Sequence, residues 1–90
     1  MFQTKAFKEF RTTVVNELMP RIKEAMQHED MLYMVKLSDG MAKVQQTHNG
    51  DISVEVKLTS REQKWLYKLL DDRYPNCEQV GVNLLAIRQF

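Results

Sequence analysis

Apolar residues recur every three or four positions from Phe7 onward. Phe7, Phe10, Val14, Leu18, Ile22 and Met26 fall on one stripe, the spacing of an α-helix that buries one side. Thr4 is placed to cap its start. Lys5, Lys8, Glu9, Thr12, Asn16, Glu17, Lys23 and Glu24 occupy the opposite side, and Glu17 and Arg21 are spaced for an i,i+4 ion pair. The predicted helix spans 4–27. Pro20 lies inside it, offers no N–H to the carbonyl of Asn16 and crowds that carbonyl with its ring, so a kink or a restart is expected there. His28-Glu29-Asp30 breaks the stripe and ends the helix.

From residue 31 the period changes to two. Tyr33, Val35 and Leu37 alternate with Met34, Lys36 and Ser38, and Asp39-Gly40 reads as a two-residue hairpin turn. That turn pairs Leu37 with Ala42, Val35 with Val44 and Lys36 with Lys43. A matching two-residue Asn49-Gly50 turn would place Ile52, Val54 and Val56 on the wrong side of the sheet, because a slip of one residue flips every side chain. A three-residue loop, His48-Asn49-Gly50 with Gly50 left-handed, restores one apolar face. The expected core rows are Tyr33–Gln46–Ile52, Val35–Val44–Val54 and Leu37–Ala42–Val56. The expected outer rows are Met34–Gln45–Ser53, Lys36–Lys43–Glu55 and Met41–Lys57.

Thr59-Ser60-Arg61-Glu62 has the form of a capping box, so a second helix starts near residue 60, with Trp65, Leu66, Leu69 and Leu70 as its buried stripe. It stops before Pro75, which biases Tyr74 away from helix. The tail from Val80 to Phe90 reads as a strand through Val80, Val82, Leu84 and Ala86, although Leu84-Leu85-Ala86-Ile87 also fits a helix. The resulting fold class is α+β. It is a single domain over residues 1–90, in the order α-β-β-β-α-β, with two helices packed on one face of an antiparallel sheet.

Composition narrows the class further. Ninety residues suit one domain with a thin core. Cys77 is the one cysteine, so no internal disulfide framework exists, and a lone thiol fits a reducing cytoplasm. The first residues carry charges every few positions and lack the apolar run of a secretion signal. No stretch is apolar enough for a membrane span. Thirteen Lys+Arg against twelve Asp+Glu leave a net charge of +1, so only the placement of charge can point to a partner.

Catalytic and metal chemistry find little material. His28, His48 and Cys77 are expected in three separate loops, and none forms a pair at zinc-ligand spacing. Asp71 and Asp72 are adjacent on a helix and point about 100° apart, so they do not converge as an acid–base pair. His28 and His48 are the only candidates for a two-histidine ribonuclease, and nothing brings them together. No Gly-rich phosphate loop is present. The expectation is a protein that is not an enzyme and uses no metal or cofactor.

The surface offers more. Lys36 and Lys43 are expected opposite one another on the outer face of the sheet, answered by Glu55 or by a bound anion. Met34 and Met41 share that face, where adaptable thioethers suit a contact surface, and a second copy of the chain, making a homodimer, is one expected partner. Burial under the C-terminal segment is the competing reading. Arg61, Lys64 and Lys68 share one side of the second helix, with Tyr67 beside it, and Lys5, Lys8 and Arg11 add charge on the first. A solvated helix face would carry the same stripe.

The α-β-β-β-α order of residues 4–73 resembles that of double-stranded RNA-binding domains, in which the start of the second helix presents lysines to phosphates. The resemblance is one of element order. The lysine-rich cap and Gly-rich middle strands of that family are absent, so no residue role carries over. In its compactness and methionine content the chain also resembles small early or accessory proteins of large lytic phages, which bind and disable a host factor. That resemblance rests on no motif, and it implies a host protein or RNA as partner and the host cytoplasm as location. Two functions are expected to compete. One is a non-enzymatic accessory protein that binds RNA, or an RNA-associated protein, through Lys36, Lys43, Arg61, Lys64 and Lys68. The other is an inhibitor or antitoxin-like module that grips a protein through Met34 and Met41 without touching nucleic acid.

Overall fold

The structure, a computed structural model, describes residues 4–37 and 40–89. Its first element is a continuous helical rod made of α1 (Lys5–Thr13), a π-helical turn (Val14–Leu18) and α2 (Met19–Gln27). The Thr4 hydroxyl accepts the Phe7 N–H at 3.1 Å, the expected cap. The π turn has two physical causes. Pro20 is the second residue of α2, where its missing N–H belongs to the first turn of a restarted helix. The other cause is spacing. Phe10, Val14, Leu18 and Ile22 stand four apart and all are buried. At 100° per residue, three such steps would swing Ile22 about 120° from Phe10. One extra residue in a wide turn reduces that to about 20° and keeps all four on the core side. The Met19 N–H accordingly reaches back five residues to the Val14 carbonyl.

Arg21 pairs with Glu24 at 2.6 Å rather than with Glu17, since the wide turn alters the i,i+4 relation between 17 and 21.

Five antiparallel strands follow: β1 (Leu32–Leu37), β2 (Gly40–Gln46), β3 (Ile52–Glu55), β4 (Cys77–Gly81) and β5 (Leu84–Ile87), in the spatial order β1-β2-β3-β5-β4. The β2–β3 register is the expected one, with Gln46 opposite Ile52, Val44 opposite Val54 and Gln45 opposite Ser53. Gly50 takes the left-handed conformation at φ 92°, and the loop is closed by Thr47 and Asp51. The β1–β2 register differs by two residues: Leu37 faces Gly40, Val35 faces Ala42 and Tyr33 faces Val44. Gly40 is thus a strand residue and not part of the turn, and Asp39, the other half of the expected turn, lies outside the described residues. A shift of two preserves which face each side chain occupies, so the apolar pattern could not detect it.

α3 (Ser60–Arg73) starts on the complete capping box, in which the Thr59 hydroxyl accepts the Glu62 N–H at 3.2 Å and Glu62 accepts the Thr59 N–H at 3.0 Å. Leu66 and Leu70 are buried, while Trp65 and Leu69 are half-buried. The tail departs from expectation. It forms two strands, with Val80 and Val82 exposed and Leu85 and Ile87 in the core. β5 is inserted between β3 and β4, pairing Val54 with Leu85 and Ile52 with Ile87. Ala86, on the outer face opposite Ser53, is buried as well at 9% exposure and Leu84 is half-buried, so the strand reads as the apolar run Leu84-Leu85-Ala86-Ile87 instead of an alternation.

One core unites these elements. The helical rod and α3 cover the same sheet face, and Trp65 meets the rings of Phe7 and Phe10 edge-on at 6.3 and 5.8 Å. Each fully buried Leu, Ile or Phe contributes roughly 1.5–3 kcal/mol. Gln46, the polar member of a core row, donates its amide to the Ala25 carbonyl at 3.0 Å and pins the end of α2 to β2. No described helix is long and apolar enough to cross a membrane.

Candidate functional site

The two layers separate the expected site residues into two groups. Lys36, Lys43, Met34 and Met41 belong to the sheet face opposite the helices, although Lys36, on the edge strand β1, also reaches a groove on the helical side. Arg61, Lys64 and Lys68 are exposed on α3.

On the outer face the expected Lys36–Lys43 row does not form. The two-residue register shift sets Lys36 opposite Met41 and Lys43 opposite Met34, with Glu55 on the other side of Lys43. The lysines sit on one diagonal of a four-residue block and the methionines on the other, which relieves the direct like-charge opposition. Met34 and Met41 are 46% and 45% exposed. The C-terminal segment extends the sheet beside β3 and does not cover either methionine. At the far end of the sheet, Arg88 spans Asp51 at 2.6 Å and Glu78 at 3.2 Å and ties the ends of β3, β5 and β4 together.

On the helical side the basic residues of two separate elements converge. The guanidinium of Arg61, in the first turn of α3, lies 4.3 Å from the centre of the Phe7 ring, and that of Arg11, on α1, lies 5.4 Å from it. Lys8, Arg11, Thr12, Val15, Asn16 and Trp65 line a cleft of about 470 Å³ along the seam between the two helices. Lys64 and Lys68 continue the Arg61 stripe at +3 and +7, next to Trp65. The seam therefore carries Lys8 and Arg11 from α1 and Arg61 from α3 around an aromatic floor, with Lys64 and Lys68 exposed further along the Arg61 side of α3.

A larger groove of about 750 Å³ lies beyond Arg61, where Lys36 reaches it from the edge of the sheet. Both helix caps, Thr4 and Thr59, line this groove, but so do Glu9, Glu17 and Glu62. Three carboxylates against two cations make it a poor seat for phosphate, so the favourable field lies along the seam. Along the rod, Lys8 and Arg11 line the cleft beside Trp65, whereas Glu9 and Glu17 line the larger groove.

The remaining chemistry is sparse. Cys77 is the first residue of β4 and not a loop residue as expected. It is 7% exposed, and burial first, then the nearby Asp71, pushes its thiol up to about 11. That holds it protonated and unreactive at neutral pH. Among the described residues, no group of three or more His, Cys, Asp or Glu side chains is placed to hold a metal ion. The convergence of Arg11 and Arg61 on Phe7 was not legible in the sequence, because it depends on how α1 packs against α3. The one available signal was that Phe7 and Trp65 each stand next to lysines in the chain. No protein-family model, no curated protein and no solved structure matches this chain.

Proposed function

We propose that this is a non-enzymatic RNA-binding accessory protein that grips the phosphate backbone along the α1–α3 seam. The observation that carries this reading is the convergence of Arg11 and Arg61, from different elements, over one Phe7 ring. Lys8, Lys64 and Lys68 flank them. Such an arrangement gives a line of cations on rigid helices, with few side-chain degrees of freedom left to order on binding. It supplies little that reads base edges, so the reading is of backbone recognition with weak sequence preference.

Lys36 and Lys43 are assigned no part in this contact: Lys43 lies on the outer sheet face, and Lys36 reaches the acidic groove beyond Arg61 and does not line the seam. Binding of mixed-sequence RNA should weaken with salt, by a slope of roughly −0.7 to −0.9 per phosphate neutralised. Arg61→Glu with Lys64→Glu and Lys68→Glu should reduce affinity at least ~10-fold at low salt, while Lys36→Glu with Lys43→Glu should leave it within about twofold. Filter retention of labelled RNA measures both. An affinity unchanged in the triple variant, or independent of salt, would rule the reading out.

A second reading has its own support in the exposure of Met34 and Met41 on an uncovered sheet face. In it the outer face takes a protein partner, as an inhibitor would. Its signature is the reverse: capture of that partner insensitive to salt and lost in Met34→Glu with Met41→Glu.

A further inference from the structure

The two edges of the sheet are built differently. β4 ends one side with devices that discourage pairing: Pro75 just before it, Glu78 within it, a register irregularity between Gln79 and Gly81, and only five residues. β1 ends the other side with six residues in unbroken register against β2, and Lys36 is its only charge. In an antiparallel ladder alternate residues direct both backbone groups away from their partner strand. Half of β1 therefore presents N–H and C=O groups outward, and no described strand takes them up. Met31 and Leu32, each 51% exposed, stand where this edge begins.

We infer that the β1 edge pairs antiparallel with β1 of a second copy, joining two five-stranded sheets into one of ten strands. The sequence of β1 suits itself when reversed. With Met34 on the two-fold axis, Leu32 faces Lys36 of the second copy and Tyr33 faces Val35, so core residues stay on the core side. Lys36 never meets its own counterpart. It meets an apolar side chain directly, so no like charges oppose one another across the axis. An arbitrary peptide would not be held to this symmetry. A six-residue strand is about 20 Å long and its pairing covers less than a standard interface, so the dimer belongs to the weak, concentration-dependent class. The seam and the outer face are both left free, and in the dimer each is doubled.

The test is sedimentation equilibrium of the full chain across a concentration series, together with mild oxidation of two single variants. The expected result is a reversible dimer with a dissociation constant at or below ~100 µM. Met34→Cys should give a disulfide-linked dimer rapidly. Met41→Cys, equally exposed but one strand in from the edge, should not, and wild type with its buried Cys77 sets the background. Met34→Lys, with circular dichroism as the check on folding, should weaken the dimer at least ~10-fold. A monomer at every concentration, or linkage faster at Met41→Cys than at Met34→Cys, overturns the pairing. Neither outcome touches the RNA reading, whose residues lie on the opposite layer.

Discussion

Cys77 and the two hairpin glycines illustrate how much a single residue's environment decides. A raised thiol pKa means that the folded state holds the proton more tightly than the unfolded chain does. The associated stability is fully present below the ordinary value of 9.0 and is lost as pH rises through about 11. The unfolding midpoint should therefore fall over that window in wild type by more than in Cys77→Ala, as thermal denaturation at graded pH would measure. Iodoacetamide at pH 8 should modify the native thiol far more slowly than the urea-unfolded one. The glycines make a sharper contrast. Gly50 sits at φ 92°, where a β-carbon is strained whatever the space, so Gly50→Ala should cost about 1–2 kcal/mol. A β-carbon at Gly40 would meet the Lys57 carbonyl at 3.9 Å, an ordinary contact. Gly40→Ala should be neutral or stabilising by up to about 1 kcal/mol, since it removes chain entropy from the unfolded state. Urea titration of the pair checks both signs.

Elements were legible wherever one local rule had a single solution. The capping box at Thr59 and the Thr4 cap satisfy donors that any helix leaves open, so sequence spacing sufficed. The three-residue loop ending at Gly50 was legible because the alternative would have turned Ile52, Val54 and Val56 to solvent. The β1–β2 register was not, because a shift of two costs the apolar pattern nothing; pairing there is decided by turn and cross-strand fit. That missed shift is also what misplaced Lys36 opposite Lys43. The tail failed for a different reason. Val80 and Val82 alternate convincingly yet belong to an edge strand and a turn, while the buried partner is the continuous run Leu84–Ile87. The π turn was latent in the three successive steps of four from Phe10 to Ile22. If spacing is its main cause, deleting Asn16 together with Pro20→Ala should convert the rod to regular α-helix with the stripe still aligned. That variant should stay folded, with a midpoint within a few degrees of Pro20→Ala alone. Deleting Lys23 instead would leave the π turn intact and rotate Ala25 out of the core, and should lower the midpoint clearly. Thermal melts followed by circular dichroism distinguish the two.

Across the whole molecule, a net charge of +1 conceals a division of labour. Lys8, Arg11 and Arg61 gather where α1 meets α3, Glu9, Glu17 and Glu62 line the neighbouring groove, and the outer sheet face mixes lysine with methionine. None of this is visible in a sum of charges, and the helix–helix packing that creates it has no local sequence signature. The sheet order has a consequence of another kind. β5 follows both β3 and β4 in the chain, yet it lies between them, with Leu85 opposite Val54 on one side and Gln79 on the other. Until residues 84–87 have left the ribosome, β3 has an unfilled flank and β4 has no neighbour. Completion of this sheet is thus timed by the emergence of β5 rather than by that of the earlier strands. Until then the nascent chain presents an open β3 flank that any other extended segment could occupy.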